Sequence, residues 1–423
     1  MRMIRYSSLL FFFILVCFGT TKAQWQATNG PFGFNFIRVQ CFAKQGTNLF
    51  AGTQGDGAWR STDNSASSWT NVSNGLTGKS VSALLVNGTD LFAGTDSGVF
   101  VSTNSGTNWT AVNNGLTSTK ISCLAAIGTN LFAGTAGFIF NESGVFLSTD
   151  NGTNWNSVTV GLTDHFISSL AVIDTNLFAS TTGFAGSGVY LSTNKGTNWN
   201  PANSGLNSNV VAALAASGTN LFAVTSQVPS TQVFISTNNG TSWSLANTGL
   251  PDGFEKCFAV SGTNVFAGAY SNGIFLTTNN GTNWTDVNQG FGTSRTIRTL
   301  AVLGDDIYAG FYDGSVYRRP VSQMITSVEQ ISDLQPTQFS LDQNYPNPFN
   351  PTTTFRFSLP KEEYITLKVY DAFGQEVATL ISEELQTGQY EKEWNASSVA
   401  SGVYYFSMQA GNYNQTKKLI LMK

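Results

Sequence analysis

Short apolar runs separated by polar turns recur along the first three quarters of the chain. They are clearest around Gly128 to Trp155, where residues 121–127, 131–135, 144–148 and 155–158 each read as a short strand. The turns between them are rich in Gly, Asn and Thr, and Gly and Asn tolerate the positive φ of tight hairpins. The pattern therefore predicts units of four antiparallel strands.

One segment of this unit, Gly-Thr-Asn-Leu-Phe-Ala-Gly-Thr, returns at intervals of 40 to 46 residues. Its seven copies begin at Gly46, Gly88, Gly128, Asp174, Gly218, Gly262 and Gly304. Four-stranded units of this length are typical of β-propeller blades. We therefore predict an all-β fold in which residues 24–320 form a seven-bladed β-propeller.

The two ends of the repeat region complement each other. The seventh copy stops at Pro320 without its Trp strand, and the segment that begins at Trp25 resembles the missing strand. A solenoid is the competing architecture, but its ends would need capping units. We expect the N-terminal strand to complete the last blade, which removes an exposed sheet edge.

A second motif, Ser/Thr-Thr-Asp/Asn-x-Gly-Thr-x-Trp, lies between the third and fourth predicted strands. It ends at Trp109, Trp155, Trp199, Trp243 and Trp284, with a looser copy ending at Trp69. The motif resembles the Asp-box, or BNR repeat, of sialidases, sortilin-type receptors, xyloglucanases and a photosystem II assembly factor. Because four copies hold Asn at the acidic position, we predict a structural turn without catalytic or metal-binding chemistry.

The first 23 residues have the pattern of an export signal. Two early arginines precede an apolar run from Leu9 to Phe18, and we predict cleavage between Ala23 and Gln24. The run is too short to favour a membrane span, and no other stretch is long enough, so no transmembrane segment is expected. Removing the signal's three basic residues changes the formal charge from −4 to −7. This acidic balance argues against nucleic-acid binding.

The repeat pattern ends after Pro320. Residues 321–338 read as a linker, and residues 339–423 contain six further apolar-polar alternations, which favour a small Ig-like β-sandwich. Three features of this segment are distinctive: Asn344-Tyr-Pro-Asn-Pro-Phe-Asn-Pro, Gly388-Gln-Tyr and Lys417-Lys-Leu-Ile-Leu.

These features resemble the type A C-terminal sorting domain of the type IX (Por) secretion system. The resemblance implies a Gram-negative source, the type IX translocon as a partner, and a mature protein that is secreted or attached to the outer surface. The alternative is an adhesive Ig-like module that stays on the protein, since sandwiches serve many functions.

Few residues of the chain suggest catalytic or metal chemistry. The cysteines beyond the signal, Cys41, Cys123 and Cys257, lie in separate repeats and cannot meet the roughly 7 Å limit between disulfide-bonded Cα atoms. We predict three buried free thiols. His165 is the single histidine, so a His-based metal site or Ser-His triad is hard to build. No cofactor, metal or catalytic residue is predicted.

Propellers serve both as enzymes and as binding proteins. A xyloglucanase-like hydrolase needs two carboxylates that face each other across the centre. The acidic residues in loops that feed the inner strands are Asp164, Asp252 and Glu255, and we expect them to be exposed. A secreted glycoside hydrolase is therefore the alternative, and a monomeric extracellular binding protein is the main hypothesis.

Six basic residues fall in or just after the loops that enter the predicted innermost strands. They are Arg38, Lys79, Lys120, Lys256, Arg295 and Arg298. In Asp-box propellers these loops surround the channel mouth on the face opposite the box. One interpretation is that loops are simply where charges are solvated. The other is a basic mouth that captures an anionic ligand, either an acidic polysaccharide or an acidic protein segment.

Overall fold

The computed structural model describes residues 24–28, 37–63, 65–137, 143–183, 188–227, 230–251, 257–269, 271–291, 296–324, 329–332, 336–396 and 399–422. The chain divides into two compact units between Pro320 and Val321. Within the described ranges every helix or strand element is a β-strand apart from one 3₁₀ turn at Val321–Gln323. No helix in these ranges is long and apolar enough to cross a membrane. The predicted signal, including Ala23, lies outside the described residues.

The first unit contains seven four-stranded antiparallel sheets, the blades of a propeller. Blade 1 contains β2 (Val39–Gln45), β3 (Asn48–Thr53), β4 (Ala58–Ser61) and β5 (Thr70–Asn71). Blade 2 contains β6 (Val81–Asn87), β7 (Asp90–Thr95), β8 (Gly98–Ser102) and β9 (Thr110–Ala111). Blade 3 contains β10 (Ile121–Ile127), β11 (Asn130–Thr135), β12 (Val145–Ser148) and β13 (Asn156–Ser157).

Blades 4 to 7 repeat this order. Blade 4 contains β14 (Ile167–Ile173), β15 (Asn176–Thr181), β16 (Val189–Ser192) and β17 (Asn200–Pro201). Blade 5 contains β18 (Val211–Ser217), β19 (Asn220–Gln227), β20 (Ser230–Ser236) and β21 (Ser244–Leu245). Blade 6 contains β22 (Cys257–Ser261), β23 (Asn264–Ala269), β24 (Gly273–Thr277) and β25 (Thr285–Asp286). Blade 7 contains β26 (Ile297–Leu303), β27 (Asp306–Phe311), β28 (Val316–Pro320) and β1 (Gln26–Ala27).

One aromatic ring per blade fills the space between neighbouring sheets. The set is Phe50, Phe92, Phe132, Phe178, Phe222, Phe266 and Tyr308, each at most 1% exposed. Phe50 of blade 1, for example, packs in one cluster with Leu91 and Ala93 of blade 2. These recurring aromatic residues therefore pack the core, as their fixed repeat position predicts.

The N-terminal strand occupies the fourth-strand position of blade 7. β1 pairs antiparallel with β28, with Gln26 opposite Arg318. Trp25 Nε1 donates to the Val287 carbonyl of blade 6 at 2.7 Å. Equivalent bonds of 2.7–2.8 Å join Trp109, Trp155, Trp199, Trp243 and Trp284 to a carbonyl of the preceding blade. The N-terminal segment thus makes the same contact between blades as an ordinary fourth strand.

A buried arginine strengthens this junction. Arg319 occupies the position that the motif serine, such as Ser148, holds in other blades, and it is only 4% exposed. Its Nη1 donates to the Val287 carbonyl at 3.0 Å and to Gln289 Oε1 at 3.2 Å. Burial lowers the pKa of Arg319 to about 10. Arg319 and Trp25 therefore both bond to one carbonyl of blade 6.

The second unit consists of two four-stranded sheets. One has the order β29 (Glu329–Ser332), β34 (Gly388–Asn395), β31 (Thr352–Leu359) and β30 (Ser340–Leu341). The other has the order β33 (Glu376–Leu385), β32 (Glu363–Tyr370), β35 (Gly402–Ala410) and β36 (Tyr413–Leu421). Phe355 and Phe357 of the first sheet share one core with Ile365, Phe406 and Leu419 of the second. The unit is therefore a β-sandwich.

The structure differs from the sequence reading in the segment predicted as a linker. Residues 329–332 form β29, which pairs antiparallel with β34 at the edge of the first sheet. The segment is short and lacks a clear alternation, and its pairing partner lies about sixty residues further along the chain. Part of residues 321–338 therefore belongs to the sandwich.

The Asn-Pro motif of this unit covers the edge of β36. Asn347 Oδ1 accepts a bond from the Ile420 N–H at 2.9 Å, and the Phe349 N–H donates to the Ile420 carbonyl at 3.0 Å. Asn344 is buried, and its Nδ2 donates to Thr353 Oγ1 at 2.9 Å. An uncovered edge strand would be open to pairing with other chains. Most of this motif is therefore structural, whereas Tyr345 is 81% exposed.

Candidate functional site

The loops before the innermost strands are held in place by backbone hydrogen bonds on one face of the propeller, here called the entry face. The Arg38 carbonyl accepts from the Gln54 N–H at 2.9 Å, and the Lys120 carbonyl accepts from the Ala136 N–H at 3.0 Å. The Lys79 carbonyl accepts from Gly57 of the preceding blade at 2.8 Å. These bonds fix the backbone from which the predicted basic side chains extend.

Four of the six predicted site residues lie within the described residues. Arg38 directly precedes β2, Lys79 lies two residues before β6, Lys120 directly precedes β10, and Arg298 is the second residue of β26. The strands β26, β2, β6 and β10 contact one another in that order. We call these four residues the basic arc. Lys256 and Arg295 lie outside the described residues.

The basic arc lies on four consecutive blades. Blades 7, 1, 2 and 3 supply its members, whereas the residues that directly precede β14 and β18 in blades 4 and 5 are Phe166 and Val210. At the position two residues before the strand, which Lys79 occupies in blade 2, blades 4 and 5 hold His165 and Asn209, so the described basic side chains lie on four consecutive blades.

The two arginines of the arc are oriented by neutral partners. The Arg38 guanidinium carbon lies 3.8 Å from the centroid of the Tyr312 ring, a cation–π contact. Arg298 is exposed at a β-bulge, and its Nη2 donates to Gln40 Oε1 at 3.0 Å. Neither of these contacts neutralises the positive charge. Lys79 and Lys120 are exposed.

Asp164 does not have the exposure expected from the sequence. It is 1% exposed, its Oδ1 accepts from the Phe166 N–H at 3.0 Å, and its Oδ2 accepts from the Gly183 N–H at 2.6 Å. The expectation was wrong because the carboxylate satisfies backbone donors of two loops, which buries it. Asp252 and Glu255 lie outside the described residues.

The repeated turn between third and fourth strands is structural. In blade 2, Asn104 Oδ1 accepts from Ser102 Oγ and from the Asn108 N–H, both at 2.9 Å. In blade 3, Asp150 Oδ1 accepts the two equivalent bonds, also at 2.9 Å. The hydrogen bond from the Asn154 side chain contributes most to lowering the pKa of Asp150. Because amide and carboxylate oxygens make the same bonds, the position needs an acceptor and no charge.

The three cysteines are free, as predicted, but each residue is half-buried and not fully buried. Each lies opposite a glycine of the second strand: Cys41 and Gly52, Cys123 and Gly134, Cys257 and Gly268. A Cβ at Gly52 would lie 2.6 Å from Cys41 Sγ, so the glycine leaves room for the sulfur. Burial raises the pKa of each thiol to about 12. No cluster of three metal-ligating side chains occurs among the described residues.

Comparison with known proteins adds a family for the second unit. Residues 343–422 match the secretion system C-terminal sorting domain. The match implies handling by type IX secretion and a secreted or outer-surface location. No curated protein sequence matches the chain.

Solved structures resemble the chain in fold. PorZ, an essential surface component of the type IX secretion system of Porphyromonas gingivalis, has a TM-score of 0.50 and 12% identity, over 91% of this chain and 59% of its own. An ancestral GH74 enzyme has a TM-score of 0.54 and 18% identity, over 94% and 63%. YCF48 bound to D1 peptide has a TM-score of 0.55 and 13% identity, over 70% and 95%. The chain thus spans less than two thirds of the PorZ and GH74 chains. The protein is a seven-bladed β-propeller that carries a secretion system C-terminal sorting domain.

Proposed function

We propose that this protein is an exported binding protein whose basic arc captures an anionic ligand. Its ligand class is an acidic polysaccharide or an acidic protein segment. The observation that supports this most is the arrangement of Arg38, Lys79, Lys120 and Arg298 on four consecutive blades at one face. Like charges gathered on one surface raise the local concentration of oppositely charged ligands.

The contacts of the arc support binding in preference to a purely solvated surface. Arg38 lies against the Tyr312 ring and Arg298 bonds to the Gln40 amide, so both guanidinium groups are held while keeping their charge. Held side chains lose less conformational entropy when a ligand binds. The propeller of YCF48 is bound to a peptide in its solved structure, which supports a protein segment as one ligand class.

The alternative function is glycoside hydrolysis, and the likeness to the GH74 enzyme concerns the fold. Hydrolysis needs a pair of carboxylates at the substrate. Asp164 is buried and accepts bonds from two backbone N–H groups, so it gives this alternative no support. We therefore keep ligand capture as the proposed function.

An array of acidic and neutral glycans and of acidic and neutral peptides tests this proposal. The probe is the mature chain, residues 24–423, and each bound glycan is then checked for cleavage by mass spectrometry. We expect selective binding of acidic members without cleavage. Equal binding of neutral and acidic members would contradict the basic arc, and cleavage of a glycoside would favour the hydrolase.

A further inference from the structure

Exposed apolar side chains are concentrated in the sorting domain. Among the described residues, the exposed large hydrophobic side chains in this unit are Tyr345, Tyr364, Phe373, Val403, Tyr405 and Met422. The much larger propeller contributes Val160 and Leu245. Single exposed apolar residues are ordinary, but a group on one small domain indicates an interaction surface.

Two of these residues, Phe373 and Tyr405, line one shallow depression. Tyr405 of β35 lies directly opposite Tyr370 of β32 on the outer face of the second sheet. Both tyrosines line a depression of about 510 Å³, together with Phe373 in the turn that joins β32 to β33. The remaining lining residues include Asp371, Ser407 and Thr416. We call this site the aromatic depression.

The turn that presents Phe373 is well braced. Asp371 Oδ1 accepts from the N–H groups of Phe373 and Gln375, both at 2.9 Å, and the Asp371 N–H donates to the Gln375 carbonyl at 2.9 Å. Phe373 is nevertheless 92% exposed. The fold therefore holds a large apolar ring in water, where it adds little to the stability of the domain.

A cation borders the aromatic depression. Lys418 of β36 lies directly opposite Tyr405 and is exposed. Its backbone is fixed, because its carbonyl accepts from Gln343 Nε2 at 2.7 Å. The nearby Asp371 carboxylate already accepts two backbone N–H bonds. The surface thus combines aromatic rings with the Lys418 ammonium, the Asp371 carboxylate and the Lys368–Glu376 ion pair (2.8 Å), in which Glu376 lies opposite Tyr370.

We propose that the aromatic depression is the surface by which the sorting domain docks on a protein of the secretion machinery. The partner presents an apolar side chain to Tyr370, Phe373 and Tyr405 and a carboxylate to Lys418. This inference rests on delivery by type IX secretion, which requires that some surface of the domain be recognised. Aromatic residues at the centre of an interface commonly carry most of its binding energy.

Export from the native bacterium tests the docking surface. The variant combines Phe373→Ser with Tyr405→Thr. The control is Tyr345→Ser, since Tyr345 is 81% exposed and does not line the depression. We expect the double variant to lower the exported amount by about tenfold or more, with folded protein retained in the periplasm. The control should be exported normally. Thermal melting of each purified full chain checks that the domain still folds.

Deletion of residues 343–422 tests delivery through the sorting domain separately from docking through the aromatic depression. If the deletion blocks export and the double variant does not, the aromatic depression is the wrong surface and the delivery route stands. If the deleted chain is exported normally, delivery through this domain is itself wrong.

A photo-crosslinking residue placed at position 373 of the full chain identifies the molecule that binds at the aromatic depression. An adduct with a secretion-system protein that disappears in Lys418→Glu would support the proposal. Adducts confined to a second copy of this chain or to a polysaccharide would overturn it.

Discussion

Residues that recur in every blade pack the core or form the turns of the propeller. The candidate site is formed by residues that do not recur in every blade. The exchange of Asp for Asn in the repeated turn identifies that turn as structural from the sequence alone, and the bonds of Asn104 and Asp150 agree. The burial of Asp164 could not be predicted in this way. Its partner Gly183 lies in another loop, and only the fold brings the Gly183 N–H to the carboxylate.

The turn can be tested at Asn104. Asn104→Asp keeps an acceptor for Ser102 Oγ and the Asn108 N–H, so we expect the free energy of unfolding to change by less than about 0.5 kcal/mol. Asn104→Ala removes both bonds and should cost about 1–2 kcal/mol. Urea unfolding at neutral pH measures both. Equal stability of the alanine variant and the wild type would show that the turn does not depend on this side chain.

The thiols should be chemically inert in the folded protein. Burial raises the pKa of Cys41, Cys123 and Cys257 to about 12, so each is a neutral thiol at pH 8, and the thiolate is the reactive form. The unfolded pKa is about 9. Because the folded state keeps the thiols protonated, their contribution to the free energy of unfolding is fully present below pH 9. That contribution is lost as the pH rises towards 12.

Iodoacetamide labelling followed by mass spectrometry measures this reactivity. At pH 8 we expect little alkylation of the folded chain and full alkylation in denaturant. Rapid labelling of the folded chain at pH 8 would show that the thiols are accessible.

Strands with a strong alternation of apolar and polar residues could be predicted from the sequence. Strands that form only by pairing with a segment far away in the chain could not. The six alternating segments of the second unit correspond to β31 to β36. β29 and β30 are short edge strands that exist because β34 and β31 pair with them. Neither segment has an apolar-polar alternation long enough to predict a strand from its own residues.

The junction of blade 7 gives a prediction at the level of one strand. Trp25 and Trp199 are each 3% exposed, and each donates Nε1–H to the preceding blade. If the N-terminal strand stabilises the ring like any fourth strand, Trp25→Ala and Trp199→Ala should each cost about 3–5 kcal/mol. Calorimetry of both variants checks this. An unchanged melting temperature for Trp25→Ala alone would mean that the ring does not depend on its N-terminal strand.

For the whole molecule, the sequence shows which basic residues precede or begin the innermost strands, and only the closed ring shows which of these strands are neighbours. Arg38, Lys79 and Lys120 are separated by about forty residues each, and only the closed ring makes Arg298 their neighbour. The same closure places Phe166 and Val210 on another part of the entry face. The grouping of these four basic residues on neighbouring strands is therefore a property of the assembled ring.

The most direct test of ligand capture is the affinity of the mature chain for two polyanions, polygalacturonate and poly-glutamate, at low and high salt. The variant is Arg38→Gln with Arg298→Gln. The control is Lys195→Gln with Lys361→Gln, which removes the same charge. Lys195 lies in the turn between β16 and β17, on the face opposite the basic arc, and Lys361 is in the sorting domain.

Calorimetric titration gives the outcome. We predict binding of at least one polyanion that weakens as salt rises, about a tenfold loss of affinity in the arginine variant at low salt, and no comparable loss in the control. Absence of binding to both polyanions, or equal affinity of the arginine variant and the wild type, would contradict capture by the basic arc.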